Sequence, residues 1–348
     1  MKTLELSLAL QGGGSFGAFT WGVLDRLLED ERIGFDGVSG TSAGALNAVA
    51  LAAGLAEGGR FKAKEVLARL WWRMSEEAPS LAPFKTAMFS PMLGPLQPAL
   101  ADAALDLTTR MASPYDLNPL NYDPLRRSLE DIIDFERVRH ASPVRLFVAA
   151  THISTAQARI FRTPEITADA VLASACLPLL QKAVEIDGEA YWDGGYSANP
   201  ALAPLVEECR ATNILLVQLV PSEPDRLPRT APEIGKRIRH IAFSTPLVHE
   251  LERLAALKEA GHTVLRHRLG RLRLHRIAAD SFVDGLGEKS ALNTSRRFLS
   301  QLHAAGREAA ETWISDLESG LGDQKAKGWW RGMGKALSPK LIDGDVSR

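Results

Sequence analysis

The chain has 348 residues, 45% of them hydrophobic, with 41 Lys and Arg against 42 Asp and Glu for a net charge of −1. Balanced charge supplies no basic field and excludes bulk electrostatic attraction to nucleic acid. Two cysteines, Cys176 and Cys209, exclude a disulfide framework, and neither has the Cys or His neighbours that a zinc site requires.

Taken in chain order, Thr3–Leu10 reads as a strand and runs directly into Gly12-Gly13-Gly14-Ser15-Phe16-Gly17. Val23, Leu24, Leu27 and Leu28 fall at helical spacing and predict a helix from about Ala18 to Glu29. Phe35–Ser39 predicts a short strand, which Gly40-Thr41-Ser42-Ala43-Gly44 hands over to an alanine-rich helix. Residues 75–125 then break the rhythm with eight prolines, and no long helix is expected through them. Apolar residues between the prolines, among them Phe84, Met88, Phe89, Met92 and Leu93, suit a lid or an acyl-binding wall.

Apolar runs at Val144–Thr151 and Asn213–Val220 suit strands covered on both faces. Residues 184–193 read as a hairpin about Asp187-Gly188, and Ala231–Ala260 as a long helix. A last strand is expected at Arg271–Ile277 and a closing helix at Ser290–Leu317. This alternation predicts an α/β three-layer sandwich, a mainly parallel central sheet flanked by helices, in one domain over residues 1–320. Residues 321–348 read as a loosely ordered tail; its Lys325, Lys327, Trp329, Trp330, Arg331 and Lys335 suit either peripheral membrane contact or a clasp on the protein. The apolar stretch Leu6–Leu10 is too short for a signal peptide, and that around Ala45–Ala56 is too short to span a bilayer, so a cytoplasmic location is expected.

Gly40-x-Ser42-x-Gly44 between a strand and a helix matches a nucleophile turn, with the serine hydroxyl raised at the sheet edge and the helix N-terminus behind it. The competing reading is a tight turn with Ser42 as helix cap. The Gly12–Gly17 loop has two chemical uses. Consecutive N–H groups can form an oxyanion hole, or Gly12-x-Gly14-x-x-Gly17 can hold a dinucleotide, with Asp36 near the spacing of a ribose-binding acid. Asp36 precedes Val38-Ser39, however, whereas that acid belongs at the strand end. A P-loop is excluded because no lysine follows the glycines. For the base, Asp193-Gly194-Gly195 puts a carboxylate at a strand end, while His262, His267 or His275 would be needed for a Ser-His-Asp arrangement. His152 reads as a strand-end histidine.

The order Gly12–Gly17, Gly40–Gly44, Ala173-Ser174-Ala175-Cys176-Leu177-Pro178 and Asp193-Gly194-Gly195-Tyr196-Ser197-Ala198-Asn199-Pro200 resembles the patatin-like phospholipase family over roughly residues 4–220. The resemblance implies Ser42 as nucleophile, Asp193 as base and Gly12, Gly13 and Gly14 as oxyanion loop, supported by Gly17, Gly40, Gly44, Gly194 and Gly195. It implies a lipid or acyl-ester substrate and neither metal nor other cofactor. An acyltransferase would share this machinery. Two positions depart from the family pattern: Gln11 stands where an acid is common, and Phe16 where a basic residue is common.

Overall fold

Alternation along the first strand, β1 (Leu4–Leu10), sets the two faces of the sheet: Leu6, Leu8 and Leu10 join one core and Ala9 the other. Each buried leucine contributes about 1.5–3 kcal/mol, and a one-residue slip would move all three to the wrong face. The computed structural model describes residues 3–77, 113–118, 121–220, 227–259, 263–279, 282 and 288–319. Residues 78–112, which hold most of the expected lid, lie outside the described residues, as do the tail 321–348 and His262.

The remaining strands are β2 (Ile33–Thr41), β3 (Arg145–His152), β4 (Ala158–Arg162), β5 (Val184–Ile186), β6 (Glu189–Asp193), β7 (Asn213–Gln218) and β8 (Arg273–Ala278). They form one sheet in the order β5-β6-β3-β2-β1-β7-β8, with β4 paired to β3. Neighbours among β3, β2, β1, β7 and β8 pair in parallel, whereas β4 and the β5–β6 hairpin pair antiparallel. At the hairpin turn both Asp187 and Gly188 take positive φ, 52° and 82°, as a tight two-residue connection requires.

Helices cover both faces. On the Leu6 side lie α1 (Gly17–Leu27) and α2 (Ala43–Glu77), joined by α3 (Pro124–Ile132), α4 (Phe135–Ala141), α5 (Ala168–Ser174) and, as the last helix of the described chain, α9 (Arg296–Glu318). On the Ala9 side lie α6 (Ala203–Glu208), α7 (Ala231–Glu259) and α8 (Thr263–Arg271). The alanine-rich helix runs on to Glu77 but breaks at Gly58-Gly59, where Gly59 has φ 70°. α7 continues through Pro246 because Leu247, Leu251 and Leu254 bury on the sheet.

Three differences from the sequence reading stand out. β2 is four residues longer than the run Phe35–Ser39, because pairing with β1 on one side and β3 on the other extends it in both directions. β4 carries exposed Ala158 and Arg162 and little alternation, and exists because β3 offers it an edge. The start of the expected closing helix is instead a 3-10 turn, Glu288–Leu292, and α9 begins at Arg296.

Candidate active site

Strand register brings the two expected catalytic elements together. Thr41 pairs with Ala149 of β3, and Asp193 pairs with Ala150, the next residue along the same strand. The end of β2, which leads into Ser42, and the end of β6 therefore meet at adjacent points on β3. Ser42 and Asp193 are 151 positions apart in sequence, and neither neighbourhood signals this meeting by itself.

Ser42 sits between β2 and α2 with φ 55°, a left-handed conformation that costs a non-glycine residue roughly 1–2 kcal/mol. Surrounding bonds hold it there. The Ser42 N–H donates to the Ser174 hydroxyl at 2.9 Å, and the Ser42 carbonyl accepts the N–H groups of Ala45 and Leu46. Thr41 Oγ1 donates to the Ala198 carbonyl at 2.7 Å. Helix α2 can start this close to β1 only because residue 44 is glycine, since a Cβ there would overlap the Leu10 carbonyl. Its N-terminal dipole consequently faces the serine.

Asp193 is wholly buried. Its Oδ1 accepts the Gly195 N–H at 2.7 Å, while Oδ2 is buried without a hydrogen bond of regular geometry. Burial pushes the carboxyl up to about 7, against smaller lowering effects of the Gly195 N–H and the Ser42 hydroxyl. An aspartate at its ordinary value is a poor acceptor for a hydroxyl proton at neutral pH, and burial moves Asp193 toward the range of a general base. The Thr151 hydroxyl donates to the Asp193 carbonyl at 2.7 Å and fixes the backbone of the strand end.

The glycine loop lies against both. Residues Gly14–Phe16 form a 3-10 turn before α1, and Gly14 takes φ 59° beneath the Ala291 carbonyl. Gly12 packs against the serine: a Cβ at residue 12 would stand 2.8 Å from Ser42 Cβ. The Gly12 N–H is engaged, donating to Asn199 Oδ1 at 2.8 Å; the N–H groups of Gly13 and Gly14 have no acceptor among the described residues. Of the three glycines expected as oxyanion donors, Gly12 thus has its N–H engaged, and Gly13 and Gly14 have no acceptor among the described residues. Gly40 packs on the Gly44 carbonyl, Gly44 on the Leu10 carbonyl and Gly194 on the Ala149 carbonyl, close backbone crossings around the site, while Gly17 packs on the side chains of Ala43 and Trp71 and Gly195 on the Phe243 ring. Phe16 meets Phe298 edge-on, with ring centroids 6.3 Å apart.

The rival candidates lie elsewhere. Among the described residues no histidine hydrogen-bonds to Ser42 or Asp193. His152 Nε2 pairs with Glu189 at 2.7 Å while Nδ1 faces Thr155; His275 bonds Asn213 and packs on Trp313; His267 is exposed on α8. The Asp36 carboxylate accepts the N–H groups of Arg210 and Ala211, below the N-terminal end of β7 and away from the glycine loop. A polar cavity of about 400 Å³ lined by Asp36, Arg145 and Arg210 opens at that same far end of the sheet. Among the described residues no group of three or more His, Cys, Asp or Glu side chains is placed to hold a metal ion, and no helix is long and apolar enough to cross a membrane.

Residues 8–206, more than half of the chain, match the family model described as patatin-like phospholipase. The chain belongs to the patatin-like phospholipase family. No curated protein sequence matches it. Among solved structures, VipD from Legionella pneumophila is similar over 90% of this chain and 66% of its own, at 16% identity and a TM-score of 0.44. Full-length ExoU of the Pseudomonas aeruginosa type III secretion system, in complex with SpcU, is similar over 95% of this chain and 60% of its own, at 14% identity and a TM-score of 0.30. A second ExoU–SpcU structure gives 98%, 68%, 15% and 0.32. This patatin-like chain thus spans less than two thirds of the length of the first two.

Three residues of the site had no role in the sequence reading. Ser174 and Asn199 stood within the resembling stretches, and Gln11 stood only as a departure. The one local signal was polarity in an apolar setting, such as Ser174 between Ala173 and Ala175.

Proposed function

We propose that this patatin-like chain is a serine acyl hydrolase that cleaves lipid or other acyl esters with Ser42 as nucleophile and Asp193 as base. The observation that carries the reading is the wholly buried Asp193 carboxylate, whose Oδ2 has no regular hydrogen bond among the described residues, within reach of the hydroxyl of a serine held in a left-handed turn.

In this reading the Ser42 hydroxyl gives its proton to Asp193 as Oγ bonds to the ester carbonyl carbon. The carbonyl oxygen becomes negative and is met by the N–H groups of Gly13 and Gly14 and by the N-terminal dipole of α2. Collapse breaks the bond to the leaving alkoxide, which takes the proton from Asp193 and leaves an acyl-serine. Water then repeats the sequence: Asp193 takes its proton, hydroxide adds to the acyl carbon, and the serine leaves with the proton. One oxyanion donor contributes about 2.7–4 kcal/mol, and these N–H groups remain where Phe16 supplies no cation. The catalytic unit extends past the family-matched stretch to about residue 320, because the Ala291 carbonyl accepts the Ser15 hydroxyl at 2.9 Å and Phe298 packs on Phe16.

Hydrolysis of p-nitrophenyl esters of graded chain length tests the reading. Wild type is expected to be active, and Ser42→Ala and Asp193→Asn to lose at least roughly 10³-fold in kcat while remaining folded. Full activity of Asp193→Asn would remove the aspartate as base.

A further inference from the structure

Asn199 lies outside the proposed dyad and outside the glycine loop, yet it is bonded directly to that loop. It is fully buried. Its Oδ1 accepts the Gly12 N–H at 2.8 Å, and its Nδ2 donates to the Phe243 carbonyl of α7 at 3.0 Å. One partner is a donor and the other an acceptor, so the amide has a single orientation that satisfies both. Its own carbonyl accepts Gln11 Nε2 at 3.3 Å. Gln11, also fully buried, turns its Oε1 to the N–H groups of Leu219 and Val220 at 2.7 and 2.8 Å. The preceding residue, Ala198, accepts the Thr41 hydroxyl.

We propose that Asn199, braced by Gln11, is a positioning residue that sets the aim of the oxyanion loop. The inference rests on the hydrolase reading above. By taking the Gly12 N–H, Asn199 fixes the Gln11–Gly12 peptide at the entry to the loop, and so directs the N–H groups of Gly13 and Gly14 that follow it. The Asn199 segment follows Asp193 by six residues and is tied through Thr41 to the Ser42 turn. Base, nucleophile and oxyanion loop are therefore held in mutual register by one short stretch of chain. The same geometry accounts for Gln11: a carboxylate could accept from Leu219 and Val220, but it could not donate to the Asn199 carbonyl. An amide serves both sides.

The test measures kcat and KM on a p-nitrophenyl ester for the full chain, corrected for folded fraction by thermal melting. Asn199→Ala is expected to lower kcat by roughly 10²-fold with KM changed by less than about threefold, since the loop acts on the transition state. The alkaline plateau of the pH profile should stay, because Asp193 keeps its burial. Wild-type kcat per folded molecule in Asn199→Ala would overturn the inference. Should Asn199→Ala not fold, Gln11→Glu carries the test: roughly a tenfold fall in kcat at constant KM supports positioning, and unchanged kcat overturns it. Ser42→Ala is run in parallel. If it keeps activity, the hydrolase reading itself fails; if it is inactive and Asn199→Ala is not impaired, only the positioning role fails.

Discussion

The main-chain N–H of Ser42 donates to the hydroxyl of Ser174, 132 residues further along the chain. Helix α5 thereby holds the backbone of the serine turn. Ser174→Ala leaves that N–H buried without an acceptor, which costs about 1–3 kcal/mol. The variant is expected to unfold at lower urea concentration than wild type, while Ser174→Thr, which keeps the hydroxyl, should recover part of the loss. Equal midpoints for wild type and Ser174→Ala would show that the bond contributes nothing.

Asp193 is expected to trade stability against activity. Its folded value of about 7 lies above the ordinary 3.8, so the folded state binds the proton more tightly than the unfolded chain. The group thus lowers stability progressively as pH rises from about 4 to 7, by an amount on the order of 2–4 kcal/mol above that window. Asp193→Asn should melt higher than wild type at pH 8 and close to it at pH 4, and it should be inactive. In wild type, kcat/KM should climb through pH 7 and level off above it as the base ionises. A profile already flat between pH 5 and 8 would contradict this.

On α1, Asp25 anchors α9. Burial raises its carboxyl, but His303 at 3.3 Å, Arg307 and Lys64 at 3.4 Å outweigh burial and hold it down at about 2. Stability from this cluster is present above about pH 4 and lost as pH falls toward 2. Asp25→Asn is expected to cost about 2 kcal/mol at pH 7 and almost nothing at pH 2. Denaturant curves at the two pH values check it; a pH-independent loss would point to packing instead.

Packing of α9 on α1 also depends on two small residues. A Cβ at residue 306 would overlap the Phe19 carbonyl, and one at residue 22 the His303 carbonyl. Gly306→Ala is therefore expected to destabilise by about 1–3 kcal/mol or more, although alanine is the better helix former. A neutral or stabilising outcome would mean the helices separate without penalty.

How much of this was written locally varies by element. Apolar alternation in β1 and the helical spacing of Val23, Leu24 and Leu27 come from side chains within one turn or a few residues, and the structure follows them. Gly40-Thr41-Ser42-Ala43-Gly44 was legible for the same reason, because a sharp strand-to-helix turn needs small residues at fixed offsets. β4 was not legible, since its pairing comes from the edge of β3 rather than from its own pattern. The residues around the serine divide along the same line. Sequence by itself determined which side chains of the right chemistry this protein has, and that each stands at the end of a strand. Only the tertiary structure decided that Thr41 and Asp193 pair with adjacent residues of β3, that Asn199 rather than a reacting group takes the Gly12 N–H, and that Ser174 backs the serine turn. Those contacts join segments distant in the chain, and their energy exists only after the sheet has closed the loops between them.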